Sequence, residues 1–239
     1  MTDKVIRLFG GHRNKVFRID GKVKIVWKEG YKRQKQIREG VLIENFVAVH
    51  ADIKSRMLVD KAKPVEEEEG ELVTYFHYCE GEIRYPWNLK EIASAAKLLA
   101  KFHSCLEDGP LRERTVLSRQ LHLDFARGNV LFRSGSADAV GIIDFETTAR
   151  GPVEQELGRT LSFILVDTPV NFDREDPLRR IPKGSSLLKR WNMFLTNYSL
   201  PYRKEDVVEW TKKYLSGDDF GSLNSVRDAA IQFINSLTH

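Results

Sequence analysis

Within residues 120–146 the chain carries three side chains of the kinds that magnesium-assisted phosphoryl transfer requires: Asp124, Asn129 and Asp144. A hard cation such as Mg²⁺ takes oxygen ligands, keeps several waters, and is commonly held by one or two protein groups plus the phosphates of its nucleotide. One carboxylate and one amide, Asp144 and Asn129, suffice for that. A second carboxylate within reach of a hydroxyl, Asp124, could then accept its proton.

To bring these groups together the stretch must fold back on itself. Residues 117–121 read as a short strand, 122–128 as a polar loop, 130–132 as a second strand, and 140–143 as a wholly apolar third that ends on Asp144. Ser134-Gly135-Ser136 marks a turn between two runs short enough to form a hairpin. Asn129 opens one strand and Asp144 closes the next, so antiparallel pairing lets the two share a metal.

His122-x-Asp124-x₄-Asn129, followed by Ile143-Asp144-Phe145-Glu146, resembles the catalytic and metal-binding motifs of the aminoglycoside phosphotransferase and choline kinase group within the protein-kinase-like fold. The resemblance implies an α+β, two-lobed fold. Residues 1–78 would form a nucleotide-binding lobe of small antiparallel sheet and one helix, and residues 79–239 a mainly helical catalytic and substrate-binding lobe. It also implies ATP and Mg²⁺ as cofactors. Asp124 would take the acceptor's hydroxyl proton, Asn129 and Asp144 would hold the metal, and His122 would steady the loop.

The spelling departs from that group in places. Where many members read H-G-D-x-H-x-x-N, Leu123 replaces the glycine and Ala126 the second histidine. Arg127, one position later, is expected to supply the positive charge that stabilises the transferring phosphoryl. Phe145-Glu146 replaces Phe-Gly, and there is no Ala-Pro-Glu segment or long activation loop, which argues against a regulated protein kinase. Residues 151–158 resemble G-x-P-x-x-D-L-A with Glu156 in the acidic place, where it is expected to complement the dipole of the next helix.

Residues 5–9, 16–19 and 22–28 read as three antiparallel strands, the last two joined by the hairpin signal Asp20-Gly21. The connecting FGGHRNKVFR resembles the group's G-G-x-x-N-x-V-x-R loop. Gly10, Gly11 and Asn14 are therefore expected beside the phosphates, where glycine lets backbone N–H groups come close. Lys28 takes the place of the group's phosphate-pairing lysine, although Lys22 and Lys24 share its alternation. Residues 32–50 read as a helix. Glu39, with Leu42, Ile43 and Phe46 at i+3, i+4 and i+7, is the expected partner of Lys28, with Glu44 as its rival. Strands at 56–59 and 71–78 follow, the glutamates at 66–69 between them reading as solvated loop. Phe76, His77 and Tyr78 are expected to lie beside the adenine as a hinge.

After a linker at 80–86, an amphipathic helix over 89–106 carries His103 as a packing residue. Helices over 154–166, 187–198, 205–215 and 223–237 follow, with Trp191, Phe194, Tyr198, Trp210 and Tyr214 at core spacing. Asp167, Asp173, Glu175 and Asp176 could attract a cationic acceptor or form a surface acidic loop.

With 239 residues, 41% hydrophobic and 30% charged, the chain reads as an ordinary globular protein large enough for two lobes. Its apolar runs are far shorter than the roughly 20 residues of a membrane-crossing helix. No secretory signal is read at the start, and Cys79 and Cys105 lack metal-ligand spacing, so a cytoplasmic protein is expected. Residues 1–63 hold sixteen Lys/Arg against seven Asp/Glu, a balance that attracts phosphate-bearing ligands. No interleaving of aromatic and basic residues points to nucleic acid. The expected function is transfer of the γ-phosphate of ATP to a hydroxyl of an amino sugar, aminoglycoside or choline-like alcohol. A catalytically silent nucleotide-binding scaffold and an atypical protein kinase stay open beside it. The chain is short for this group, so the acceptor pocket is expected to be shallow or completed by a second copy in a homodimer.

Overall fold

The computed structural model describes residues 5–8, 14–84, 86–105, 119–166, 184–217 and 224–237. Strands β1 (Val5–Leu8), β2 (Lys15–Ile19), β3 (Lys22–Trp27), β4 (Glu66–Glu68) and β5 (Glu71–His77) form an antiparallel sheet in the order β1-β2-β3-β5-β4. Asp20-Gly21, with φ of 48° and 76°, makes the left-handed pair of a tight hairpin between β2 and β3. Glu69-Gly70 repeats that geometry between β4 and β5, with φ of 49° and 78°. The second turn corrects the loop reading of the glutamates. Glu66–Glu68 is an edge strand, and Glu68 accepts from Lys24 Nζ at 2.5 Å and Tyr75 OH at 2.8 Å. Residues 56–59, expected as a strand, make only a single bridge, Leu58 to Phe76.

Alternation along β3 sorts its side chains. Val23, Ile25 and Trp27 are buried with Leu72 and Phe76 of β5, and Trp27 Nε1 donates to Thr74 Oγ1 at 2.9 Å. Lys22 and Lys24 fall at the opposite parity, as does Lys28 one residue past the strand.

Helix α1 (Gln34–His50) covers the buried face with the stripe Ile37, Gly40, Val41, Ile43, Glu44 and Val47. Ile37 and Val41 join the sheet's core, whereas Ile43 and Val47 join the core of the helical part. The inward acid is therefore Glu44. Glu39 lies off the stripe and is exposed, and Leu42, which suggested the other phase, is 49% exposed. Gly40 sits where α1 crosses the short 3-10 turn Phe145–Thr147, and a Cβ there would run into the Phe145 carbonyl. Gly40→Ala is expected to cost about 1–3 kcal/mol, as overpacking does, read as a lower urea midpoint. A variant as stable as the parent would refute the close approach.

The helical part contains α2 (Leu89–Cys105), α3 (Val153–Val166), α4 (Gly184–Asn197), α5 (Lys204–Leu215) and α6 (Asn224–Ser236), packed around a core that includes Trp191, Phe194 and Tyr198. Trp210 and Tyr214 are half-buried and stack on each other with ring centroids 5.9 Å apart. Strands β6 (Glu82–Ile83), β8 (Val130–Phe132) and β9 (Ala139–Ile142) form a three-stranded sheet, its first strand taken from the stretch that reads as a linker. Strand β7 (Arg119–Leu121) pairs with β10 (Ala149–Gly151). Among the described residues no helix is long and apolar enough to cross a membrane.

Candidate active site

Strands β8 and β9 pair with Val130 opposite Ile142, and one residue further the Ile143 N–H donates to the Asn129 carbonyl at 2.9 Å. Asn129, entering β8, and Asp144, leaving β9, thus stand at one end of the hairpin. Asn129 Nδ2 donates to Asp124 Oδ2 at 2.8 Å and to the Asp124 carbonyl at 3.0 Å. With its nitrogen so engaged, the amide keeps Oδ1 as the atom able to face a cation.

Asp144 Oδ1 is buried with no hydrogen-bond partner among the described residues, an arrangement that costs about 1–3 kcal/mol unless a ligand offsets it. Asp144 also holds the left-handed φ of 68°, strain of the kind that collects at functional sites. A carboxylate oxygen left open at the hairpin end that also carries the Asn129 amide fits Mg²⁺ bound mainly through nucleotide and water oxygens. Among the described residues no cluster of three His, Cys, Asp or Glu offers a fuller cage.

The loop that carries Asp124 is fixed from behind. The Asp124 N–H donates to His122 Nδ1 at 3.2 Å, which puts that ring's proton on Nε2, facing the Ile143 carbonyl at 3.0 Å. Glu156, fully buried near the start of α3, accepts the His122 N–H and the Leu123 N–H, each at 2.7 Å. His103 Nε2 reaches the same carboxylate at 3.0 Å, and its Nδ1 meets Tyr198 OH at 2.7 Å. Burial pushes the Glu156 carboxyl up, but the hydrogen bond and charge of His103 outweigh it and hold the group below its ordinary range. His103 and Glu156 therefore do more than pack a helix and complement its dipole. Leu123 has φ of 60°, a conformation costing a side-chain-bearing residue about 1–2 kcal/mol; glycine, which the resembled motif often places there, adopts it freely.

Removing Glu156 strands two buried backbone donors and one imidazole. Glu156→Ala is expected to lower stability by about 3–5 kcal/mol, with Glu156→Gln intermediate because one oxygen acceptor remains. Denaturant titration of the three proteins checks the order, and equal stabilities would deny the loop this support.

Burial raises the Asp124 carboxyl above its usual range, opposed chiefly by His122. Burial also lifts Asp144, to about 7, against the pull of Arg56 and with Glu146, Glu44 and Asp124 adding to the rise.

Other expected site residues are placed differently. Asn14 does reach the loop after Asp144, but through its side chain: Nδ2 donates to Glu146 Oε2 at 2.7 Å, and Oδ1 accepts the Lys28 N–H at 3.2 Å. Glu146 also pairs with Arg33 at 3.0 Å. Lys28 and Glu39 are both exposed and form no ion pair with each other, because β3 ends before Lys28 and the helical phase turns Glu39 outward. Glu44 pairs with Arg56, its Oε1 2.5 Å from Nε and its Oε2 2.9 Å from Nη2. Phe76 is a core side chain. The His77 N–H is bonded to the Met57 carbonyl at 2.8 Å and the Tyr78 N–H to the Gly21 carbonyl at 2.9 Å, so neither donor is free for an adenine. The irregular segment after α1, which supplies Met57, carries no periodicity that would have revealed this. Gly10, Gly11, Asp167, Asp173, Glu175, Asp176 and the side chain of Arg127 lie outside the described residues.

Residues 113–179, which contain His122, Asp124, Asn129, Asp144 and Glu156, match the Phosphotransferase enzyme family. No curated protein matches the chain in sequence. Among solved structures, a microcompartment-associated aminopropanol kinase is 15% identical over 98% of this chain and 89% of that one, with a TM-score of 0.60. The gentamicin complex of APH(2″)-IIa is 15% identical over 99% and 91%, with a TM-score of 0.58. The GDP complex of a variant aminoglycoside 2′-phosphotransferase-IIIa is 14% identical over 98% and 88%, with a TM-score of 0.57. These likenesses show the fold, α+β and kinase-like in two lobes, and the family match over residues 113–179 agrees with the resemblance read from residues 120–160.

Proposed function

We propose that this chain transfers the γ-phosphate of ATP, with Mg²⁺, to a hydroxyl of a small molecule such as an amino sugar, an aminoglycoside or a choline-like alcohol. The observation that carries the reading is the convergence of Asp124, Asn129 and Asp144 at one end of a hairpin, with Asn129 bonded to Asp124 and Asp144 Oδ1 buried without a partner. Similar folds that bind GDP, ADP, AMP-PNP, gentamicin and hygromycin B support it.

Asn129 Oδ1 and the Asp144 carboxylate would hold Mg²⁺, which when bound neutralises phosphate charge. Asp124 orients the acceptor hydroxyl and takes its proton as the hydroxyl oxygen bonds to the γ-phosphorus. The bond from that phosphorus to the β–γ bridging oxygen breaks, and ADP leaves with the electron pair. His122 and Glu156 keep Asp124 in place, Arg127 is the candidate for charge beside the phosphoryl group, and positioning supplies much of the acceleration. In this reading residues 1–78 cover the nucleotide and 79–239 carry the catalytic loop and the acceptor pocket.

The test is an ADP-release screen over aminoglycosides, choline-like amines, amino alcohols and sugars, run with Mg²⁺ and with EDTA, and with mass spectrometry of the acceptor. Acceptor-dependent, EDTA-sensitive ADP release is expected. A protein that binds no nucleotide and turns over nothing in the panel would defeat the reading.

A further inference from the structure

We propose that Arg56, clamped by Glu44, is the phosphate-binding cation of the nucleotide site, reaching a place that the lysines of β3 do not. This rests on the phosphotransfer reading.

The lysines are excluded by geometry. On β3 the side chains that face α1 are Val23, Ile25 and Trp27, all buried. Lys24, at the other parity, is committed to Glu68 at 2.5 Å and lies over the Tyr75 ring at 5.6 Å. Lys28 is exposed beyond the strand.

Arg56 reaches the inner face instead. It is 7% exposed, and its guanidinium lies 4.8 Å from the centroid of the Phe76 ring on the face that α1 covers. Its backbone is guided toward the metal end of the hairpin. Lys54 bridges Gly141 in parallel, the Ile142 N–H donates to the Lys54 carbonyl at 2.9 Å, and Ser55 Oγ donates to the Ile142 carbonyl at 2.5 Å. Arg56 is the next residue on one segment, and Asp144 stands two beyond Ile142 on the other. Glu44, one helical turn after the Gly40 contact with the Phe145 carbonyl, meets Arg56 from above the same turn. The charges of Arg56 and Asp144 act on each other accordingly.

The guanidinium is not used up by this arrangement. Nε and Nη2 bond Glu44, while Nη1 has no partner among the described residues, and the side chain keeps 8% exposure. An arginine fork can hold a carboxylate along one edge and still offer an N–H to a phosphate oxygen. Such a donor is needed here. Glu44, Asp124, Asp144 and Glu146 all act on this end of the site, so polyphosphate would otherwise enter among carboxylates.

The test is calorimetric titration of Mg·ADP and of adenosine, with Mg·GDP and guanosine alongside. It compares the parent with Arg56→Met, Arg56→Lys, Lys28→Ala and the double variant Glu44→Leu/Arg56→Met. The double variant keeps the experiment decisive if Arg56→Met fails to fold, because a buried ion pair replaced whole by apolar groups is often tolerated. Removing Arg56 is expected to weaken the nucleotide on the order of 10- to 100-fold, the loss of one charge-assisted hydrogen bond. Nucleoside affinity should stay within about twofold in the same proteins, which a merely structural ion pair would not predict. Arg56→Lys should recover part of the loss, and Lys28→Ala should lose less than about twofold. Equal losses for nucleotide and nucleoside, or an undiminished nucleotide affinity, would overturn the assignment while leaving phosphotransfer standing. A parent that binds neither nucleotide would overturn both.

Discussion

Asp124→Asn should lower kcat by about 10²- to 10⁴-fold, the range that general-base groups contribute, with Mg·nucleotide affinity within about twofold of the parent. The choice of asparagine is deliberate. Asn129 Nδ2 donates to Asp124 Oδ2 at 2.8 Å, and the replacement's amide oxygen can accept the same bond, so the loop and the Asn129 ligand oxygen keep their places. What disappears is the capacity to take a proton. Burial already lifts the Asp124 carboxyl above its ordinary range, which makes it a stronger base toward a hydroxyl than an exposed aspartate. Steady-state kinetics with saturating acceptor separate the two contributions. A kcat within about threefold of the parent would mean that positioning alone carries the reaction and that Asp124 is no base.

How far the sequence predicts these features follows from whether their causes are local. The β8-β9 hairpin is legible because two short apolar runs flank a Ser-Gly-Ser turn, and the structure pairs Val130 with Ile142 as that pattern requires. The helices described in the second part, α2 to α6, are legible for the same reason, from apolar residues at helical spacing. Helix α1 is harder because it serves two cores, so its apolar residues spread around the cylinder and Leu42 on the solvent side mimics an inward stripe. The choice between Glu39 and Glu44 is then made by Arg56, which lies in a segment with a single bridge and no alternation. The same holds for the hinge: the donors of His77 and Tyr78 are taken by Met57 and Gly21, the first from that irregular segment and the second from a distant hairpin. Glu146 shows the limit most plainly. As a replacement for glycine after Asp144-Phe145 it reads as a departure, yet in the fold it ties Asn14 and Arg33 to the turn that follows Asp144 through contacts more than a hundred residues apart in the chain.

Asp144→Asn is expected to make the metal-free protein more stable above pH 7 while removing its Mg-dependent nucleotide binding. The sign follows from linkage. The carboxyl is lifted from 3.8 to about 7 by burial, so between those values the folded protein holds a proton that the unfolded chain has released. Stability from this group is full below the lower value, falls as pH rises, and is lost once pH passes the upper one. A displacement of roughly three pH units at 1.36 kcal/mol each sets the scale at about 4 kcal/mol. The parent, titrated with urea in EDTA from pH 5 to pH 8, should therefore lose stability with rising pH, and the asparagine variant should lose much less. Mg·nucleotide reverses the order, because it selects the ionised form. Its affinity for the parent should weaken about tenfold for each pH unit below 7, and saturating ligand should restore the stability that the bare carboxylate costs at pH 8. Identical pH slopes for the two metal-free proteins would show that Asp144 is not held in the buried, unpartnered state on which its role as a metal ligand depends.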